Sequence, residues 1–183
     1  GVSDQHIPIM LHLAEAGNNG LFRLWFDEVT KREVPFDIIG MSYYPYWHGS
    51  IKMVAANIDD VIHRYSKPVI IVETAFPFTA ENGDNLANSY SDATPVEGYE
   101  VSVKGQAHFL NDLMTLVNDV PNSQGLGVFY WEPDWLPVKG ATWSSPVGMK
   151  YIGEEGETGN SWDNQALFDF SGNVLPSVKV FNK

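Results

Sequence analysis

Glu73 closes the run Val69-Ile70-Ile71-Val72, and a carboxylate at the end of so apolar a stretch is well placed for chemistry. Consecutive β-branched residues read as a strand buried on both faces, as in a parallel sheet covered by helices. The C-terminal ends of such strands are where loops converge and active sites form. Glu132 follows a second run, Gly125 to Trp131, and is the other strand-end glutamate. Two carboxyl groups flanking a glycosidic bond suffice to hydrolyse it, one as acid and the other as nucleophile or base. Glu73 fits the nucleophile. Its plain alternative is a buried glutamate held by an Arg or Tyr for packing. Glu132, placed before Pro133, reads more readily as a loop cap than as a catalytic partner.

Tyr43 and Tyr44 end an earlier strand, where a phenol hydroxyl can donate to a carboxylate and keep it ionised. Strand alternation turns only one of them inward. The loop beyond supplies Trp47 and His48 as candidate sugar contacts, and Trp131 offers a stacking face as readily as a core ring. His12 closes the first strand. A lone histidine there is more often structural, yet four strands that all end in polar or aromatic residues form a pattern that packing alone does not explain. Asn82, Asp84 and Asn88, with Leu86 among them, place oxygen donors along one loop. Calcium takes about six to eight oxygens, so Ser161, Asp163 and backbone carbonyls would complete the set. The spacing is not that of an EF-hand, and a polar turn accounts for it equally well.

The elements that must carry these residues follow from periodicity. His6 to Ala14 reads as a strand, and Gly17-Asn18-Asn19-Gly20 as a turn with an Asn N-cap. Leu21, Phe22, Leu24, Trp25 and Val29 then recur at helical spacing until Val34-Pro35. Phe36 to Tyr44 is the second strand, with Gly40 and Ser42 small enough for a crowded interior. An amphipathic helix runs from about Ser50 to Tyr65 and leads into the Glu73 strand. Beyond Phe78 lies a long stretch rich in Asn, Asp, Ser and Gly, then a helix from Ser102 to Pro121, then the fourth strand. Lys139 to Ser161 reads as another long loop, and the tail as a strand-like turn with a short helix after Pro176. Four strand-then-helix units are half the count of an eight-stranded barrel; an open four-stranded parallel sheet is the competing arrangement.

Composition narrows the function. The 183 residues, 44% hydrophobic and 13% aromatic, are enough for one domain with a packed core. A net charge of -12 with 11 basic residues argues against a nucleic-acid partner. No apolar run approaches the roughly 18 residues of a membrane helix. The first residues, GVSDQHIP, form neither a basic leader nor an apolar signal core, so any targeting segment is expected outside this sequence. Zero cysteines exclude disulfides and thiolate chemistry, and fit a cytosolic or a secreted bacterial protein equally. Six Trp, eight Tyr and ten Phe in an acidic chain lean toward carbohydrate.

Taken together, IIGMSYYPYWHG, IVETAFPFT and GVFYWEPDW resemble the endo-β-1,4-galactanase family of glycoside hydrolases, and MLHLA, LFRLWFDEVTKR and SWDNQALFDFSGNVLPSVKVF extend the likeness from about His6 to the C-terminus. The resemblance implies strands five to eight of a (β/α)8 barrel, with residues 1–183 as the C-terminal half of one catalytic domain. It implies retaining endo-hydrolysis of β-1,4-galactan, the side chains of pectin, with Glu73 as nucleophile, Tyr43 or Tyr44 positioning it, and Trp131 under the sugar at the cleavage point. The family's acid/base lies in an Asn-Glu dipeptide on strand four, and no Asn-Glu occurs in this sequence. The partner carboxyl is therefore expected from an N-terminal half, in the same protein or a second chain, and this chain alone is expected to be nearly inactive. Bacterial members are similar in carrying a calcium-stabilised loop after strand seven, which points to the Asn82 to Asn88 segment and to a secreted or cell-surface protein. The rival reading is a non-catalytic carbohydrate-binding or assembly half-barrel.

Overall fold

The structure, a computed structural model, describes residues 7–153 and 158–182. His6, where the first strand was expected to begin, lies outside the described residues. Four parallel strands form one sheet in the order β1 (Met10–Leu13), β2 (Ile38–Ser42), β3 (Val69–Glu73) and β4 (Gly125–Val128). The helices are α1 (Asn19–Lys31), the short α2 (Pro45–His48), α3 (Ile51–Tyr65), α4 (Val103–Asn118) and α5 (Pro146–Ile152). The chain divides into two compact units, Gly1–Thr74 with Asp112–Trp131, and Ala75–Asn111 with Glu132–Lys183. All four strands and α1 to α3 belong to the first.

Within the first unit, β-branched and aliphatic side chains build the strands and aromatic ones fasten the helices to them. Ile39, Met41, Val69 and Ile71 are fully buried, as are Phe22 and Phe26 of α1 and Val54 and Val61 of α3. Phe26 meets Phe36 at 5.4 Å and Tyr65 at 5.6 Å, so one ring ties α1 to α3. Asn18 caps α1 by accepting from the Leu21 amide, and Ser50 caps α3 by accepting from Met53. Left-handed Glu33 (φ 54°) follows α1 and left-handed Ser66 (φ 53°) ends α3.

Charge adds a second fastening between these helices. Arg64 donates from Nε and Nη2 to both carboxylate oxygens of Asp27 at 2.8 Å, and the Tyr65 hydroxyl reaches Asp27 at 2.8 Å. Arg23 grips Asp60, which also accepts from Asn19 at 2.7 Å. Arg64 and then Tyr65 pull Asp27 down from 3.8 to about 2, and Arg23 does the same for Asp60. Both carboxyls titrate lower in the folded chain, so their contribution is complete above about pH 4 and is lost as pH falls toward 2. Exposure keeps that contribution small. The melting temperature is expected to drop through this window, and less steeply in a D27N/D60N double variant. Parallel slopes would contradict the assignment.

Burial contrasts between the central and the outer strands. β2 is mostly buried and β3 has no exposed residue, whereas Ile9 before β1 and Met10 at its start are each 43% exposed, and Leu126 in β4 and Phe129 after it are 47% and 61% exposed. Among the described residues, β1 and β4 each have one strand neighbour. An apolar, unpaired strand edge is a surface that proteins ordinarily cover. Gly40 lets β1 and β2 meet closely: a Cβ there would lie 2.9 Å from Met10 Sδ, so the flexible Met10 side chain would have to shift.

Two helices arise where loops were expected. α2 turns within Pro45–His48, and α5 occupies part of the stretch from Lys139 to Ser161, opened by the Ser145 cap and Pro146. The fourth strand is shorter than its apolar run, but its ladder continues: the Phe129 amide donates to Ile71 O and the Trp131 amide to Thr74 O, both at 2.8 Å.

Candidate active site

The site is built where β1, β2 and β3 end. A register shift between β2 and β3 decides which way Glu73 points. Met41 pairs with Ile71, but Ser42 pairs with Glu73, leaving Val72 as an extra residue. Simple alternation would send Glu73 to the same face as the buried Val69 and Ile71, beneath the helices. The bulge aligns it instead with Ser42, and hence with Gly40 and His12 on the opposite face.

Tyr44, two residues beyond Ser42, shares that face. Its hydroxyl donates to Glu73 Oε2 at 3.2 Å, long for an O–H···O bond but directed at the carboxylate. Tyr43 is fully buried and donates instead to the Gly49 carbonyl at 3.1 Å, so of the two tyrosines it is Tyr44 that meets the carboxylate. The backbone here is pinned: the Tyr43 amide donates to Glu73 O at 2.9 Å, and the Thr74 hydroxyl to Tyr43 O at 2.7 Å. His12 Nε2 lies 2.7 Å from Ser42 Oγ, which ties the end of β1 to the residue paired with Glu73. Ser42 is a contact that the sequence reading assigned only to interior packing.

Trp47 is 52% exposed and meets Tyr44 edge-on at 5.5 Å. His48 closes α2, with Nδ1 near the backbone of Tyr44 and Ser42, and burial holds its pKa below the usual 6.5. A cavity of about 450 Å³ lies beside them, lined by Glu15, Asn18, Trp47, His48 and Met53 among others. A second cavity of that volume, between α3 and residues 116–124, contains none of the candidate residues. Trp131 is 41% exposed, with its backbone tied to Thr74. Among the described residues it is therefore not sealed in a core. Glu132 sits in left-handed backbone (φ 50°).

The Asn82 to Asn88 segment belongs to the second unit and is organised by carboxylates. Asp84 accepts from the Leu86 amide at 2.8 Å and from the Asn160 amide at 2.6 Å. Asp163, fully buried, accepts from the Gly83 amide at 3.1 Å. Asn82 donates to the Leu86 carbonyl at 2.6 Å, and the Ser161 carbonyl accepts from Ser89 at 2.7 Å. Burial, with a smaller push from Asp84, raises Asp163 to about 6; the Asn88 amide lies against the same carboxyl and opposes the rise. Even so, Asp163 Oδ1 and Asn88 Oδ1 are buried without a well-formed hydrogen bond. Among the described residues, no three His, Cys, Asp or Glu side chains gather as a metal cluster. Asn160, fully buried and bonded to Asp84, was missed in the sequence, where it is one more polar residue of a loop.

Against this geometry the sequence model of glycosyl hydrolase family 53 matches residues 2–181. The chain belongs to that family. Family 53 enzymes are (β/α)8 barrels, and the parallel four-stranded sheet is the half formed by strands five to eight. An endo-beta-1,4-galactanase of Bacillus subtilis (strain 168) is 34% identical over 98% of this chain and 46% of its own length. A Niallia circulans protein described as uncharacterized, from the bgaB 5' region, is 40% identical over 97% of this chain and 45% of its own. Among solved structures, the Ignisphaera aggregans GH53 catalytic domain superposes with a TM-score of 0.83 at 34% identity, covering 96% of this chain and 46% of that one. The chain therefore spans about half the length of the curated relatives it matches.

Proposed function

We propose that this chain supplies the nucleophile of a retaining endo-β-1,4-galactanase. The carrying observation is the Tyr44 hydroxyl directed at Glu73 Oε2 at the C-terminal end of a parallel family 53 sheet. The name of the Bacillus subtilis relative supports galactan as substrate. In the first step Glu73 attacks the anomeric carbon, the bond to the leaving oxygen breaks, and an acid outside this chain protonates that oxygen. In the second step water, deprotonated by the same group, displaces Glu73. The acid/base must lie about 5 to 5.5 Å from Glu73, on the missing strand-four half of the barrel. Tyr44 keeps the carboxylate aimed, and Trp131 offers its face to the sugar.

The test is stereochemical. Proton NMR of the complete enzyme acting on β-1,4-galactan should show β-anomeric ends first, among oligosaccharides of several lengths. First-formed α-anomers, or monosaccharide alone, would refute the reading. The rival, a carbohydrate-binding or assembly half-barrel, is favoured by the exposed apolar edges, and predicts binding without turnover in every state of assembly.

Calcium belongs to the same proposal. Asp84, Asp163, Asn82 and Asn88, with the carbonyls of Leu86 and Ser161, form an oxygen-only set suited to a hard cation. Two buried oxygens without well-formed hydrogen bonds, one on a carboxylate pushed up by burial, mark where positive charge is wanted. When bound, the ion would brace the loop and take no part in bond cleavage. EDTA is expected to lower the melting temperature by roughly 5 °C or more relative to calcium at about a hundred times its Kd. Magnesium should not restore it, and D163N should be indifferent to both. A melting point unmoved by EDTA would dismiss the site.

A further inference from the structure

His48 is held in place by its backbone as well as its ring. It closes α2, and its amide donates to Tyr44 O at 2.8 Å. A Cβ on Gly17 would lie 2.0 Å from the His48 carbonyl oxygen, so the loop after β1 presses directly on this backbone. The ring meets Tyr44 edge-on at 5.6 Å between centroids.

Nδ1 lies 3.2 Å from the Tyr44 amide nitrogen and 3.0 Å from the Ser42 carbonyl oxygen. The two contacts make opposite demands. An amide N–H only donates and requires a bare Nδ1, whereas a carbonyl favours a protonated one. The Ser42 carbonyl already accepts the Ala16 amide at 3.1 Å. A bare Nδ1 with the proton on Nε2 pairs the Tyr44 amide and leaves the Ser42 carbonyl to Ala16, with two acceptors facing at 3.0 Å; the opposite tautomer bonds Ser42 O but sets N–H against the Tyr44 N–H. Burial also disfavours the charged ring, against the pull of the Ser42 carbonyl and of the Glu15 and Glu73 carboxylates that face it.

We propose that the bare Nδ1 of His48 holds the Tyr44 backbone at the strand end and so aims the Tyr44 hydroxyl at Glu73, which makes His48 a positioning residue for the nucleophile. The proposal rests on Glu73 being the nucleophile. In this role His48 acts on the carboxylate through Tyr44, and it touches neither substrate nor Glu73 directly.

The test compares His48→Ala, which removes the acceptor, with His48→Asn, whose side-chain oxygen can accept in place of Nδ1, both in the complete enzyme on β-1,4-galactan. H48A is expected to lower kcat on the order of tenfold with KM little changed, because misaimed catalytic groups cost rate rather than binding. H48N is expected to recover most of it. Nitrogen-15 NMR of the imidazoles, with H48N identifying the His48 signals, should show the Nε2–H tautomer titrating below the usual histidine range. Unchanged kcat in H48A, an H48N enzyme no faster than H48A, or a proton resident on Nδ1 would each overturn the proposal. Glu73→Gln assayed alongside separates the two claims: if it stayed active, the nucleophile would be lost while the tautomer still reported on the His48–Tyr44 contact.

Discussion

Glu73→Gln in the complete enzyme is expected to lower kcat on galactan by on the order of 10⁴-fold or more, with the melting temperature nearly unchanged. The substitution keeps the shape of the side chain and leaves an oxygen to accept from Tyr44, so neither the β2–β3 bulge nor the tyrosine is disturbed. What it removes is the negative oxygen that must form a bond to the anomeric carbon. A packing glutamate behaves in the opposite way, since its amide would change stability and leave turnover alone. Steady-state rates and a melting curve on the same preparation distinguish these outcomes. More than a few per cent of residual kcat would end the assignment.

The isolated 183-residue chain is expected to hydrolyse galactan no faster than background, and to gain activity when the complementary half of a family 53 barrel is added. One reason is chemical: general acid/base assistance contributes about 10²- to 10⁴-fold, and no Asn-Glu pair exists here to provide it. The other is physical. Ile9, Met10, Leu126 and Phe129 lie exposed at or beside the two outer strands, so an added half would bury them and pair both edges. Sedimentation of the mixture, followed by assay of the complex, measures both effects. A well-behaved monomer with the full rate of a complete enzyme would contradict the half-barrel account.

Much of the scaffold was legible because its signals are local. The β-branched run ending in Glu73, the helical spacing from Leu21 to Val29 and the stripe from Ile51 to Tyr65 each specify an element without help from the rest of the chain. The aim of Glu73 was not. Alternation counted from the buried Val69 and Ile71 puts the carboxylate under the helices, and only the extra Val72 in the β2–β3 register reverses it. A bulge depends on pairing between strands, which a linear pattern does not encode. The choice between Tyr43 and Tyr44 was open for the same reason, until the hydroxyl contacts separated them.

α5 was missed although Ser145-Pro146 is a recognisable helix start, because the surrounding Gly, Ser and Trp residues carry no sustained period. His48 was picked out in the sequence as a candidate sugar contact; its contact with the backbone of Tyr44 depends on α2 folding the chain back over two residues it has just left. In the second unit, Asp84 and Asp163 were picked out as oxygen donors, but the bonds that Asp84 accepts from Asn160 and Asp163 from Gly83 are tertiary.

The central claim is a covalent bond to Glu73, and its most direct test is to trap that bond. A 2-deoxy-2-fluoro-galactoside with a good leaving group slows both chemical steps, the second more, so a glycosyl-enzyme accumulates. Incubated with the complete enzyme, digested and sequenced by mass spectrometry, the label should fall on the carboxylate of Glu73 in the peptide containing PVIIVETAFPF. A label on Glu132 or any other carboxylate, or complete inactivation with no adduct in that peptide, would contradict the account.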